Sequence, residues 1–172
     1  VRAPDGVGGQ QFFQKHAMAG APKEIKTIPI AESDGEDEAY LTLPNVDALV
    51  ACAQMSALEL HIWGARNDDV EKPDRMVFDL DPDEDLDFAF VKRAAFDIKA
   101  LLDNADLPSF SMITGGKGIH IVLNLKRRHD WAEVKGFAGA FAEQVAALDP
   151  KRFVANMSKA KRKGRIFIDY LR

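Results

Sequence analysis

In MVFDLDPDEDLDF, Met76 to Phe88, an apolar run becomes an alternation: Phe78 and Leu80 point to one face of a strand and Asp79 and Asp81 to the other, until Pro82 ends it. Upstream, IKTIPIAESDGEDEAYLTL predicts two strands around an acidic turn containing Asp34 and Gly35. Asn45 is placed to cap a helix reaching Leu58, with Val46, Leu49, Val50, Ala53 and Ala57 along its apolar face. LELHIWG reads as a short strand. After the aspartates, Asp83, Glu84, Asp85 and Asp87 read as a solvated turn and helix start. Phe88, Val91, Ala95, Ile98, Leu101 and Leu102 then recur at helical spacing, and Pro108 marks the end of that helix.

The second half continues the mixture. SFSMI, the turn TGGKG and IHIVLNL predict a hairpin, and a helix follows from about Asp130 to Leu148. Asp130 and Glu133 form its capping pair, and Trp131, Val134, Phe137, Phe141 and Val145 face the core. The chain closes with a basic loop and the strand RIFIDYLR. This order, with its antiparallel hairpin, favours an α+β fold over a repeating βαβ sheet, and no internal repeat or low-complexity linker interrupts it.

Composition sets the scale. At 172 residues and 47% hydrophobic, the chain suffices for one core of ordinary size, so a single domain over residues 1–172 is expected. No apolar run approaches a membrane span and no signal peptide opens the sequence, which predicts a cytosolic protein with no membrane partner. The single cysteine, Cys52, excludes an intrachain disulfide and a thiolate zinc cluster and is expected to pack in the core. The net charge of -4 conceals an asymmetry: residues 151–172 hold eight Lys or Arg and one acid, whereas residues 1–150 carry 15 basic and 26 acidic groups. The sequence starts at Val1 rather than methionine and stops within a strand pattern, so it is expected to be a piece of a longer protein, truncated at both ends.

The candidate chemistry lies in three places. Asp79 and Asp81, about 6–7 Å apart along one strand face, suit hard divalent cations such as Mg²⁺ or Mn²⁺; the plain alternative is a solvated strand end. In RIFIDYLR, Ile166, Ile168 and Tyr170 share one face while Asp169 interrupts Phe167 and Leu171 on the other, which makes it a candidate third ligand or an edge-strand acid meeting water or a nearby arginine. TGGKGIH surrounds Lys117 with glycines whose N–H groups can approach an anion, with His120 just beyond; equally, it is a well-made hairpin turn. It lacks the spacing of a nucleotide-binding GxxxxGK[ST] loop. SKAKRKGR carries Lys159, Lys161, Arg162, Lys163 and Arg165 directly into the Asp169 strand, either as a solvated surface or as phosphate contacts. His61 reads as a satisfied core histidine near a tryptophan, and Phe12 and Phe13 as core residues or base-stacking aromatics.

GGQQFFQKH, LELHIWGA, VFDLDPDE, GGKGIH and MSKAKRKGRIFIDYLR, in this order across nearly the whole chain, resemble the polymerase domain of bacterial ligase D, within the archaeal and eukaryotic primase superfamily. The resemblance implies a primase-polymerase-like α+β fold with an RRM-like antiparallel catalytic sheet and flanking helices. It implies that Asp79, Asp81 and Asp169 bind two catalytic Mn²⁺ or Mg²⁺ ions and that His61 lies at the active site. Thr114, Lys117 and His120 would contact the incoming nucleotide, with Thr114 standing where the family usually has serine. Arg162 and Arg172 match arginines near nucleotide and metals, and Phe12 or Phe13 matches a base-stacking aromatic.

The implied reaction adds nucleotides, preferentially ribonucleotides, to a DNA 3′ end during end joining. The implied partners are DNA ends with a 5′-phosphate, nucleoside triphosphates, ligase and nuclease domains of the parent chain, and a DNA-end-binding protein. Such work belongs to the cytoplasm, at the bacterial nucleoid. VFDLDPD also resembles the DxD strand of haloacid-dehalogenase-type phosphatases, but Pro82 and the lone Asp169 fit that family poorly. A non-catalytic nucleic-acid-binding sheet would explain the basic loop and leave three carboxylates unused. No KxDG ligase motif occurs.

Overall fold

The alternation flanking the first acidic turn folds as predicted: β1 (Lys26–Ala31) and β2 (Asp37–Thr42) pair antiparallel, with Thr27 opposite Leu41 and Ile30 opposite Glu38. The structure is a computed structural model that describes residues 1–32 and 35–171, so Asp34 of the turn and Arg172 lie outside the described residues. The chain divides into two units, Val1–Ile62 and a second from Trp63 onward, each described by itself below.

In the first unit, α1 (Val46–Gln54) starts where Asn45 accepts a hydrogen bond from the Ala48 N–H at 3.1 Å. It stops before Leu58, because Met55 caps it and Ser56 takes a positive φ of 62°. The predicted apolar face is wrong: Ala48 and Ala51 are buried, whereas Val46, Leu49 and Val50 are exposed. Two small residues let this short helix approach its neighbours closely, and the bulkier stripe stays outside. LELHIWG is not a strand. Its backbone runs irregularly beside the N-terminus, where the Leu58 N–H bonds to Val1 O at 2.9 Å. Cys52 is half-buried rather than a core residue, and the burial it has pushes its thiol pKa up.

The second unit is built on the Met76–Pro82 alternation. A small bulged hairpin, β3 (Ala65–Arg66) and β4 (Asp69–Pro73), leads into β5 (Arg75–Pro82). Asp87 caps α2 (Phe88–Asn104) by accepting from the Ala89 N–H at 2.8 Å. The predicted hairpin forms β6 (Ser109–Met112) and β7 (Ile119–Asn124), and the Asp130–Glu133 capping box starts α3 (Trp131–Leu148). Then come β8 (Phe153–Val154), a single turn of 3-10 helix at Lys159–Lys161, and β9 (Ile166–Asp169).

These strands form one sheet in the order β6-β7-β5-β9-β8. The pairings from β6 through β9 are antiparallel, but β8 runs parallel to β9, so the sheet is mixed rather than antiparallel throughout. The two-residue β8 offered too short a pattern to be read from sequence. Met76, Phe78, Leu80, Ile119, Ile121, Leu123, Ile166 and Ile168 face one way and pack against Val91, Ala94, Ile98 and Leu102 of α2 and Ala138, Ala142 and Val145 of α3. Both helices therefore cover one face of the sheet. Phe88, Leu101 and Phe137, predicted to face the core, are partly exposed at the margins of their stripes. Among the described residues, no helix is long and apolar enough to cross a membrane.

The buried stripe predicts unequal costs along α2. Ile98→Ala should destabilise the protein by roughly 2–4 kcal/mol in urea unfolding. Phe96→Ala, at a position 67% exposed, should stay within about 0.5 kcal/mol; equal losses would contradict the packing.

In the first unit, hydrogen bonds from Tyr40 and then Lys15 hold the Glu32 carboxyl below its ordinary value of 4.5, and bonds with Tyr40 and Glu32 push Lys15 up to about 12. A carboxyl depressed in the folded state stabilises above its unfolded pKa and loses that contribution as pH falls through the folded one. The thermal midpoints of the native protein and Glu32→Gln should therefore differ slightly at neutral pH and converge on acidification below 4.5. A constant gap would rule this out.

Candidate active site

The sheet register decides what surrounds the aspartates. Asp79 pairs with His120 of β7 on one side and with Asp169 of β9 on the other, and Asp81 pairs with Phe167. Directly opposed residues share a face, with Cβ atoms about 4.5–5.5 Å apart. Asp79, Asp81, Asp169 and His120 thus stand together on the face away from the helices, as the alternation within each strand predicts. Asp79 is buried, at 7% exposed.

A cluster of acids in a partly desolvated position needs compensation. His120 Nε2 lies 3.5 Å from Asp79 Oδ2. Lys117 Nζ and Arg162 Nη1 each lie 3.5 Å from a different oxygen of Asp81. Asp169 Oδ1 accepts the Leu171 N–H at 3.0 Å. The structure therefore brings together six of the predicted residues, the three carboxylates with Lys117, His120 and Arg162, from strands and loops far apart in sequence.

Gly118 makes part of this possible. A Cβ there would sit 2.7 Å from Leu80 O and 3.1 Å from Asp79 Oδ1, so only glycine lets the β6–β7 turn pass this close to Asp79. Thr114 lies in the same turn and is exposed.

Arg162 is held by more than charge. Its guanidinium lies 3.6 Å from the centre of the Phe167 ring, and its Nη2 donates to Met157 O at 2.8 Å. Phe167 was legible as a residue on the Asp169 face but not as the platform for this arginine. Asp83, read from sequence as part of a solvated turn, instead accepts the Gly164 N–H at 2.6 Å. Nothing in the local sequence signals a bond across that separation.

In the first unit, His61 is exposed rather than a core residue: its Nε2 lies 2.9 Å from Glu59 Oε2, and its ring meets Phe13 edge-on with centroids 5.2 Å apart. Phe13 is 76% exposed, whereas Phe12 is less so and lies under the Arg2 guanidinium. Arg172 is outside the described residues.

The donor set suits a hard divalent cation: three carboxylates at adjacent register positions, with neutralising groups beside them. As placed, no three His, Cys, Asp or Glu side chains among the described residues are grouped to hold a metal ion. Each carboxylate has another partner in this arrangement: Asp79 faces His120, Asp81 faces Lys117 and Arg162, and Asp169 accepts the Leu171 N–H.

This arrangement, an α+β sheet with helices on one face and an acid cluster beside basic loops on the other, sets the class of fold. It also removes the strand environment of a haloacid-dehalogenase-type phosphatase, since β5 is antiparallel to both neighbours. The chain matches the LigD primase-polymerase domain family over residues 1–172 and belongs to that family.

It is 42% identical over 172 residues to the multifunctional non-homologous end joining protein LigD of Pseudomonas aeruginosa, covering all of this chain and 20% of that protein. With the protein of the same description from Mycolicibacterium smegmatis it shares 29% identity over 171 residues, covering 98% of this chain and 22% of that one. The chain thus spans about a fifth of these relatives. The polymerase domain of Mycobacterium tuberculosis ligase D, solved in complex with DNA, superposes with a TM-score of 0.86 at 28% identity, covering 98% of this chain and 61% of that one.

Gly118→Ala should strain the turn against β5. Expected is a loss of roughly 1–3 kcal/mol in thermal or urea unfolding, while Gly116→Ala, whose Cβ would meet only Thr114 Oγ1 at 4.0 Å, should cost less. The reverse order would refute the close approach.

Proposed function

We propose that this chain is a nucleotidyltransferase module that adds nucleotides, preferentially ribonucleotides, to a DNA 3′ end during non-homologous end joining. The observation that carries the reading is the register that sets Asp79 opposite Asp169, with Asp81 two residues on and Lys117, His120 and Arg162 alongside. Asp79, Asp81 and Asp169 would hold two Mn²⁺ or Mg²⁺ ions. Held there, such ions would supply the Lewis acidity and positive charge that attack of a primer hydroxyl on an α-phosphate and departure of pyrophosphate need.

The other residues take roles their positions suit. Lys117 and Arg162, which balance Asp81, exchange that partner for the triphosphate. His120 reaches the nucleotide's phosphate or sugar from beside Asp79, and the exposed Thr114 hydroxyl bonds to it from the turn. Phe13, the more exposed of the two aromatics, stacks on a base, with His61 against its ring. Arg172 keeps the nucleotide role implied by the resemblance. The partners are DNA ends with a 5′-phosphate, ligase and nuclease modules of a longer chain, and a DNA-end-binding protein, all within the bacterial cytoplasm.

Primer extension on a duplex with a 5′-phosphate, using ribonucleotides and Mn²⁺, tests this with the full-length parent protein. Asp81→Ala should reduce extension by at least about a hundredfold. Equal extension by both proteins would sink the carboxylate assignment, and hydrolysis of a simple phosphate ester without nucleotide addition would favour a phosphatase.

A further inference from the structure

Immediately after β5, Asp83 makes two hydrogen bonds to one place. Its N–H donates to Arg165 O at 3.0 Å, and its Oδ2 accepts the Gly164 N–H at 2.6 Å. Together they clasp the end of the basic loop against the end of the strand that carries Asp79 and Asp81. Gly164 has a φ of +68°, a conformation glycine adopts without strain, and no atom lies within 4 Å of where its Cβ would be. The glycine is therefore required by the turn itself rather than by crowding.

The clasped turn contains Arg162. The Arg165 N–H returns to Arg162 O at 2.9 Å, closing a tight turn whose two ends are Arg162 and the residue bonded by the Asp83 N–H. From this turn the Arg162 side chain reaches the Phe167 ring, Met157 O and Asp81. Asp81 and Asp83 thus act on the same loop differently: one faces the guanidinium, the other fixes the backbone that delivers it.

We propose that Asp83 is a positioning residue that clasps the basic loop and so holds Arg162 beside Asp81. Its part in nucleotide binding rests on the nucleotidyltransferase reading above, but the clasp itself does not. A positioning residue acts on the arginine's placement, so its loss should raise the KM for nucleoside triphosphate while sparing metal affinity. An additional metal ligand would do the opposite. The conservative Asp83→Asn substitution keeps an oxygen acceptor for the Gly164 N–H and should preserve both the clasp and function.

Three measurements decide this. Limited trypsin digestion reads the clasp directly, since the loop contains Lys159, Lys161, Arg162, Lys163 and Arg165. Asp83→Ala should be cut there faster than the native protein, roughly tenfold, and Asp83→Asn near the native rate. In the parent protein, Asp83→Ala should raise the KM for nucleoside triphosphate roughly tenfold with an unchanged Kd for Mn²⁺ alone, and combining it with Arg162→Gln should add little. Unchanged digestion of Asp83→Ala, a weakened Mn²⁺ Kd, or losses that multiply with Arg162→Gln would each overturn the proposal. Should the native protein bind no nucleoside triphosphate, the nucleotidyltransferase reading fails, and faster loop cleavage in Asp83→Ala still supports the clasp.

Discussion

The register of β5 against β7 and β9 governs everything else at the site. Phe78 and Leu80 are fully buried between the sheet and its two helices, so the strand cannot slide by one residue without moving them to the other face. The same constraint fixes Asp79 against His120 and Asp169. Core packing and placement of the acids are thus one event, and the apolar face enforces the geometry of the polar one.

The acids would repel one another if left alone. Their compensation comes from the part of the chain where basic charge is concentrated, residues 151–172, and from the glycine turn. The overall charge of -4 conceals this, because acidic surface elsewhere outweighs a local surplus of cations. Pairs at 3.5 Å with partly exposed members stabilise only modestly.

Side-chain stacking and backbone clasping complete what charge alone leaves loose. Arg162 bends over Phe167, the cross-strand partner of Asp81, so the arginine is aimed by the residue opposite the acid it meets. The two neighbours of Pro82 divide the work: Asp81 on the sheet face, Asp83 on the loop backbone. In the first unit, by contrast, the polar contacts of His61 and Lys15 are between groups close to solvent.

Much of this was legible in the order of residues. Two-residue alternation placed Asp79 and Asp81 together and Asp169 on the face opposite Ile168, helical spacing located α2 and α3, and Asn45, Asp87 and Asp130 mark real helix starts. Local geometry determines such features, because a side chain's face follows from its own backbone. The buried face of α1, the irregular path of LELHIWG and the parallel β8 were not legible, since each depends on which neighbours come to pack there. The pairing of Asp79 with Asp169, about ninety residues apart, and the bond from Gly164 to Asp83 were likewise decided only in three dimensions. The sequence by itself determined which acids share a strand face and which way the side chains point within their strands. The tertiary structure decided which of them meet, because contacts between distant segments are set by burying the shared core rather than by any local preference.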